Sequence, residues 1–496
     1  MNLKETMIND YKLKEKSSPL SKIELIFFYF LFAAAIYAVY IKAGLALPFF
    51  LVILILAFFS KRNYFWIAFF FLILQAPAKF FYYTPNYHLP FLTFIPGLSL
   101  TPIDLFTVMM FAKFIINKKH IKFKLKTPFS ILLVYFIFSF LLSGIFFNTS
   151  LDITGRFARS LAYLMWIFFS AAFMNEIEDI FKFFELILPI AFFILFSQVY
   201  YILNGGMNLI SLFNPEVNQQ ALINTLTGEV RASLGGFPSL LCCYFGAFFL
   251  MQFKQNRKRK YYYNIITIMC FLSVLLSATR YAFGVFLFIA LLIYSKKLKD
   301  LPKIIIFIVA IVLISMLLVK FGIFSDEYLK SSLWGRVSQV FDFASGKGGQ
   351  IDTFASRLEQ LRYMTESVKG SLFFGYGFSE QALQYSNNNW GFPNTIIMFG
   401  FFGFFMFIFL FKSYIKIISS TMKKPYIDPD IKAALKVLLA TFSGMLLAYF
   451  TTWDFFSLFY PEVLAFDMIF FALSETLFKR ANAEEKTIVS PREILA

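Results

Sequence analysis

The 496 residues are 59% hydrophobic and only 15% charged, with a mean hydropathy of +0.68, so the chain repeatedly offers runs long enough to cross a bilayer as helix. These runs are long and rich in Phe, Leu and Ile instead of short and alternating, which disfavours a β-barrel and favours helices that satisfy their own backbone in lipid. The formal net charge of +17 falls in short Lys/Arg clusters between apolar runs, the topology signal of a polytopic membrane protein, and sets nucleic acid aside as a partner.

In chain order, residues 1–22 form a polar, Lys-rich cytoplasmic tail, and the apolar run that follows is long enough to be a retained first helix instead of a cleaved signal. Spanning helices are expected at 23–41, 44–60, 64–82, 101–117, 128–147, 156–174, 181–203, 239–253, 262–278, 281–295, 303–321, 393–411, 433–453 and 460–478. The chain is thus an all-α polytopic membrane protein of about 14 transmembrane helices. The basic clusters at 61–62, 118–126, 254–260, 296–303, 412–436 and 479–480 then share the inside. One inside connection carries Glu176, Glu178 and Asp179, but acidic residues weigh little in topology. The runs at 239–253 and 281–295 are short, which implies tilt, local thinning or broken helices lining a cavity. Helices 1–11 with their loops occupy 23–322, helices 12–14 occupy 393–480, and 481–496 is a cytoplasmic tail, read as polar and disordered from Ala483.

The chain is organised around its one long polar interruption, residues 323–392, between helices 11 and 12. Six Lys/Arg against seven Asp/Glu make it unlike the basic inside loops, and it is expected to be periplasmic. Leu333, Val337, Val340 and Phe341 recur at helical spacing, so 332–343 reads as a surface helix with Trp334 at the interface. Gly346-Lys347-Gly348-Gly349 lacks the spacing and the Ser/Thr of a phosphate-binding loop and reads as a hinge. Ser356 and Glu359 form a capping-box pattern, and Leu358, Leu361, Thr365 and Val368 make one apolar face before Gly370. Two amphipathic helices make this loop a lid.

Lysine dominates the inside, whereas arginine collects at the outside: Arg156 and Arg159, Arg231, Arg280, Arg336, Arg357 and Arg362. A planar fork suits phosphate oxygens, and membrane anchoring is served equally well by lysine. Arg156, Arg159 and Arg336 are therefore candidates for gripping a diphosphate, set against snorkelling or pairing with carboxylates. Pairing is favoured for Arg362, which has Glu359 and Glu366 at helical spacing. A function is favoured for Arg231 and Arg280, which are costly to hold beside apolar helices without one. The aromatics Tyr82, Tyr83, Tyr87, Trp334, Tyr376, Tyr385, Trp390, Trp453 and Tyr460 suit an interfacial belt before a sugar platform. A general base is open among His88, Glu229, Asp326, Glu327, Asp342, Asp352, Glu359, Glu380 and Asp454. Asp428-Pro429-Asp430 has the form of a metal-holding pair in nucleotide-sugar transferases, but on an inside connection it reads as a turn and helix start. Cys242, Cys243 and Cys270 offer neither a disulfide framework nor metal-ligand spacing.

Four segments in order resemble the O-antigen polymerase and ligase superfamily of bacterial inner-membrane glycosyltransferases. They are Arg231-Ala232-Ser233-Leu234-Gly235-Gly236-Phe237-Pro238, Ser277-Ala278-Thr279-Arg280-Tyr281-Ala282, Arg357-Leu358 with Leu361 and then Gly375-Tyr376-Gly377, and Gly400-Phe401-Phe402-Gly403. The resemblance implies a GT-C-like enzyme that moves glycan from undecaprenyl diphosphate to an acceptor sugar at the periplasmic face, without metal, cofactor or nucleotide sugar. Its partners would be lipid-linked oligosaccharide donor and acceptor and membrane lipid, with a chain-length regulator as an optional further one. Arg280, Arg231, Arg357 and Glu229 are then the catalytic candidates. Ligases of this kind carry a histidine before the paired-glycine helix; here that neighbourhood is Asn387-Asn388-Asn389-Trp390, and the loop holds no histidine, which favours polymerase over ligase. A lipid-linked oligosaccharide flippase is the rival from another class, disfavoured by the single dominant loop and the lack of visible duplication.

Overall fold

In a computed structural model of the chain, the residues described are 20–80, 101–117, 124–147, 149–204, 207, 209–212, 237–277, 279–294, 352–386, 390–425, 427–452 and 461–493. Every regular element among them is helical. The helices are α1 (Lys22–Ile36, continued by a π turn over Tyr37–Ile41), α2 (Ala46–Phe59), α3 (Asn63–Phe80), α4 (Pro102–Ile116), α5 (Lys126–Phe146), α6 (Leu151–Leu164), α7 (Trp166–Phe173), α8 (Ile177–Ile187) and α9 (Ile190–Leu203). They continue as α10 (Phe237–Met251), α11 (Lys260–Leu276), α12 (Arg280–Tyr294), α13 (Asp352–Val368), α14 (Glu380–Tyr385), α15 (Gly391–Met422), α16 (Pro429–Thr451) and α17 (Pro461–Glu493). Several of them start at a side-chain cap. Ser21 accepts the Glu24 amide, Thr101 and Asp104 form a reciprocal capping box, and Asp428 accepts the Asp430 amide ahead of Pro429 at the first turn. Asp428-Pro429-Asp430 is therefore the helix start its composition suggested.

Among the described residues, five helical stretches are long and apolar enough to cross a bilayer, 22–39, 126–146, 177–203, 391–422 and 429–450, with α10 and α11 a sixth if that bent pair is one span. The chain is a helical membrane protein. Most of the expected runs coincide with helices, but 156–174 divides into α6 and α7 at Met165, and 181–203 into α8 and α9 at Leu188-Pro189. The expected span at 303–321 lies outside the described residues. A real departure is the tail: α17 runs on to Glu493, because Ala481, Ala483, Glu484, Glu485 and Lys486 are helix formers that need no apolar partner.

The core explains why composition alone misses part of the bundle. Residues 463–478 of α17, 237–250 of α10 and 64–73 of α3 are buried without a break, so these helices are wrapped by others. α17 packs on α3, α6, α7, α8, α10 and α16. Being sheathed in protein, it can carry Asp467, Ser474, Glu475 and Thr476 at no more than marginal exposure. Around it, α1, α2, α5 and α15 turn bare apolar side chains outward, among them Phe30, Val52, Ile55, Val134, Leu141, Ile145 and Phe405, as a lipid-facing surface requires.

One end of the bundle is rich in lysine and tied together. Glu24 takes the Tyr64 hydroxyl at 2.9 Å and pairs with Arg62 at 3.4 Å, while Lys182 bonds Glu178 at 2.7 Å and lies over the Tyr64 ring. Glu185 accepts the Leu20 amide at 3.2 Å and pairs with Arg259, and Asp430 accepts the Lys254 amide at 2.9 Å. The acidic connection at 176–179 thus sits among the basic clusters, where carboxylates neutralise some of their charge. Close by, Glu475 accepts the amides of Lys124 and Leu125, both at 2.9 Å, at the start of α5. On α4, the Lys113 ammonium donates to the Ala57 and Ser60 carbonyls and to Asn63 Oδ1 at 2.7–2.8 Å, satisfying the carbonyls that end α2.

Candidate functional site

Opposite the lysine-rich end, the N-terminal turn of α4 meets the C-terminal half of α6, and their polar residues close into a network. Asp104 is its hub. One carboxylate oxygen accepts the Thr101 amide at 2.7 Å and the Thr101 hydroxyl at 2.8 Å; the other accepts the Tyr163 hydroxyl at 3.1 Å and Arg159 Nε at 3.0 Å. Asp104 reaches this position because the capping box fixes it at the third residue of α4. Arg159 and Tyr163 reach it because they are one turn apart on α6. The side chain of Asp104 is 10% exposed and that of Arg159 22%, so the pair is largely protected from water. A turn further along, Trp166 donates to Thr107 at 3.2 Å, pinning α7 to α4.

The layer extends onto the central helices. Phe466 of α17 is 6.4 Å from Phe71 of α3, which places Asp467 and Gln75, both fully buried, within about two turns of each other across the α3–α17 contact. Asp467 and Gln75 each have bonding partners of their own. On the same end, the first turns of α10 and α12 meet through Phe237 and Tyr281, whose rings are 5.5 Å apart. Arg280 is the first residue of α12, immediately beside that contact.

A second feature joins the loop to the bundle. α15 is broken at Gly400, which has φ +61° and ψ −173°, so the helix has two halves. The segment between α13 and α14 lies along the break and exchanges backbone hydrogen bonds with both. The Tyr376 and Gly377 amides donate to the Ile397 and Met398 carbonyls at 2.8 and 2.7 Å, and the Phe401 and Phe402 amides donate to the Leu372 and Phe373 carbonyls at 3.0 and 3.1 Å. Tyr135 of α5 donates to the Phe399 carbonyl at 2.6 Å, and Ser143 accepts the Phe378 amide at 2.6 Å. The backbone freed by the break is thereby satisfied by protein, as lipid demands. Gly375 and Gly377 also have positive φ, and a Cβ on Gly375 would strike the Met398 carbonyl and the Gly400 amide. Leu372, Phe373 and Phe374 are 40%, 69% and 49% exposed, and the Phe374 ring lies 6.2 Å from that of Phe402, so the turn carries bare apolar side chains beside the break. Tyr376 donates to the Ser367 carbonyl at 2.7 Å, closing the turn onto α13; burial raises its phenol above the ordinary value, and neighbouring Tyr385 adds to the shift.

The predicted site residues divide accordingly. Arg159 is held by Asp104, while Arg156 lies one turn nearer the start of α6, its side chain outside the described residues. Arg280 begins α12 and Arg357 lies in α13, again with side chains outside the description. Arg231, Glu229, Arg336 and His88 lie outside the described residues altogether, as do the expected helix at 332–343 and the hinge at 346–349. The second helix expected in the loop is present as α13, ending in a 3-10 turn at Lys369–Ser371. Arg362 pairs with Glu366 at 3.6 Å on the exposed face of α13, the pairing its spacing favoured. Cys242, Cys243 and Cys270 are buried free thiols. Among the described residues no cluster of three His, Cys, Asp or Glu side chains is arranged to hold a metal.

Sequence reasoning passed over Asp104, Tyr163, Gln75 and Asp467. The available signal for Asp467 was a lone carboxylate inside the apolar run 463–473, which in a membrane helix marks a site worth testing. Neither a protein-family model nor a curated protein matches the chain.

Proposed function

We propose that the chain is a GT-C-like inner-membrane glycosyltransferase of about 14 spans, an O-antigen polymerase that joins repeat units carried on undecaprenyl diphosphate at the periplasmic face. The observation that carries this reading is Arg159, half-buried and paired with Asp104 at the end of the bundle opposite the lysines, with Arg156 a turn away. When the anomeric carbon of the donor is attacked, the diphosphate leaves with negative charge. A guanidinium already oriented toward that charge lowers the barrier without reorganising. By the resemblance, Arg231, Arg280, Arg336 and Arg357 are proposed to serve the same diphosphate, and Glu229 is the carboxylate proposed to take the acceptor proton. The interlocked Gly375-Tyr376-Gly377 and Gly400 segments support the reading in another way: they give the two loop motifs one physical purpose, anchoring a lid at a membrane-embedded helix break.

Deletion of the gene tests the function directly. The expected result is surface lipopolysaccharide carrying single repeat units, with long chains restored by the intact gene. Polymer accumulating on carrier lipid, with none attached to the core, would point to a ligase instead; repeat units trapped inside the cell would point to a transporter.

A further inference from the structure

We infer that the furrow between α1 and α2 binds one anionic glycerophospholipid, with an acyl chain laid along the furrow and the phosphodiester at Lys42. The furrow follows from how the first two helices pack. α1 lies chiefly on α3, and α2 on α4, so the pair parts from its shared turn. Ala33, Ala34 and Ala38 fall on adjacent rows of one face of α1, and their small side chains leave a cavity of about 490 Å³ walled by Phe30 and Phe49. That is the size of an ordinary small-ligand pocket. Apart from the Tyr37 hydroxyl, every side chain lining it is apolar. Phe30 and Leu45 at its edges are exposed, so the furrow opens on the lipid-facing surface and a membrane chain is the occupant its position offers.

The headgroup is assigned by charge. The last turn of α1 widens to a π turn in which the Lys42 amide donates to the Tyr37 carbonyl at 3.0 Å, and the Leu45 amide donates to the Lys42 carbonyl at 2.8 Å. Lys42 is thus tied through its backbone to two residues of the lining, while its side chain is exposed. Glu24 and Arg62 pair at the other end of α1, so Lys42 stands opposite the lysine-rich end, against the bias that gathers lysine there. Among the described residues no carboxylate pairs with it. Residues 37–49 hold no other charged side chain. One ammonium beside one apolar channel matches a single phosphodiester charge and a single chain; a diphosphate would call for a second cation that this turn lacks.

The test is native mass spectrometry of the full chain released from nanodiscs of equal phosphatidylglycerol and phosphatidylethanolamine. The wild type is expected to retain phosphatidylglycerol in preference. Lys42→Gln should cut that preference about fivefold, the effect of one lysine near a membrane surface, and Lys42→Arg should keep it. Ala34→Trp fills the furrow and leaves the lysine, and should lose the preference as fully as Lys42→Gln; should it fail to fold, Ala33→Leu makes the same comparison with a smaller side chain. Equal retention of the two lipids by the wild type, or an unchanged preference in Lys42→Gln, overturns the site. A preference that survives filling of the furrow makes Lys42 an ordinary surface charge and overturns it too. A lipid-free dimer would give the furrow to a second copy, and displacement of phosphatidylglycerol by equimolar undecaprenyl diphosphate would give it to the carrier lipid; either result also overturns the proposal.

Discussion

Replacing Gly400 with alanine should unlock the loop from the bundle. Gly400 has φ +61° and ψ −173°, a region open in practice to glycine alone, so any side chain there costs about 1–3 kcal/mol. The added methyl would also meet the Phe373 carbonyl and the Phe374 amide, which are backbone and cannot swing away. Relieving that overlap separates Phe401 and Phe402 from the Leu372 and Phe373 carbonyls, two bonds of 3.0 and 3.1 Å worth about 1 kcal/mol each net. The sum is about 3–5 kcal/mol of local stability, equivalent to roughly a 10²–10⁴-fold loss of protection. Hydrogen exchange on the purified protein in nanodiscs reads it at the amides of Tyr376, Gly377, Phe401 and Phe402. Those four should exchange faster together, while the amides of α17 remain as slow as in the wild type. Wild-type exchange at the four, or equal acceleration in α17, would refute the idea that the two glycine segments form a discrete latch.

Glu475→Gln should lower global stability by about 1–3 kcal/mol, because one amide oxygen cannot accept both the Lys124 and Leu125 amides and a buried donor is left over; denaturant or thermal unfolding in detergent checks it. Single cysteines at Ser60 and Ser150 should react with an impermeant maleimide from opposite sides of the membrane, Ser60 from the cytoplasm, with the buried native thiols silent; labelling of both from one side would break the assigned topology. Arg231→Ala and Arg280→Ala should each abolish chain extension at normal expression, with lysine restoring it only in part because the fork is lost; full activity in both alanine variants would remove them from the site.

The apolar runs made the membrane class and most helix positions legible, since a bilayer demands continuous hydrophobic helix and little else reads that way. The basic clusters likewise anticipated which helix ends assemble around Glu24, Glu185 and Asp430. What escaped were features set by packing. α17 is polar enough at Asp467 and Glu475 to look ordinary, yet its stretch 463–478 is buried throughout, and only its neighbours reveal that. Gly400 and the Gly375-Tyr376-Gly377 segment were visible as motifs, but their mating depends on a turn folding back along a broken helix, which no local periodicity encodes. Asp104 was hidden because its role comes from a capping box, and a capping box ordinarily signals nothing beyond a helix start. The helix over the tail escaped for the opposite reason: its polar composition resembles disorder, while its alanines, glutamates and lysines propagate a helix already begun.

The most direct test of the central claim is reconstitution of the purified chain alone in liposomes with a defined undecaprenyl-diphosphate-linked repeat unit. The account predicts a ladder of products lengthened by whole repeats, with one undecaprenyl diphosphate released for each linkage made, and no ladder from Arg280→Ala. Repeat units that stay single, whether or not they cross the bilayer, would contradict it.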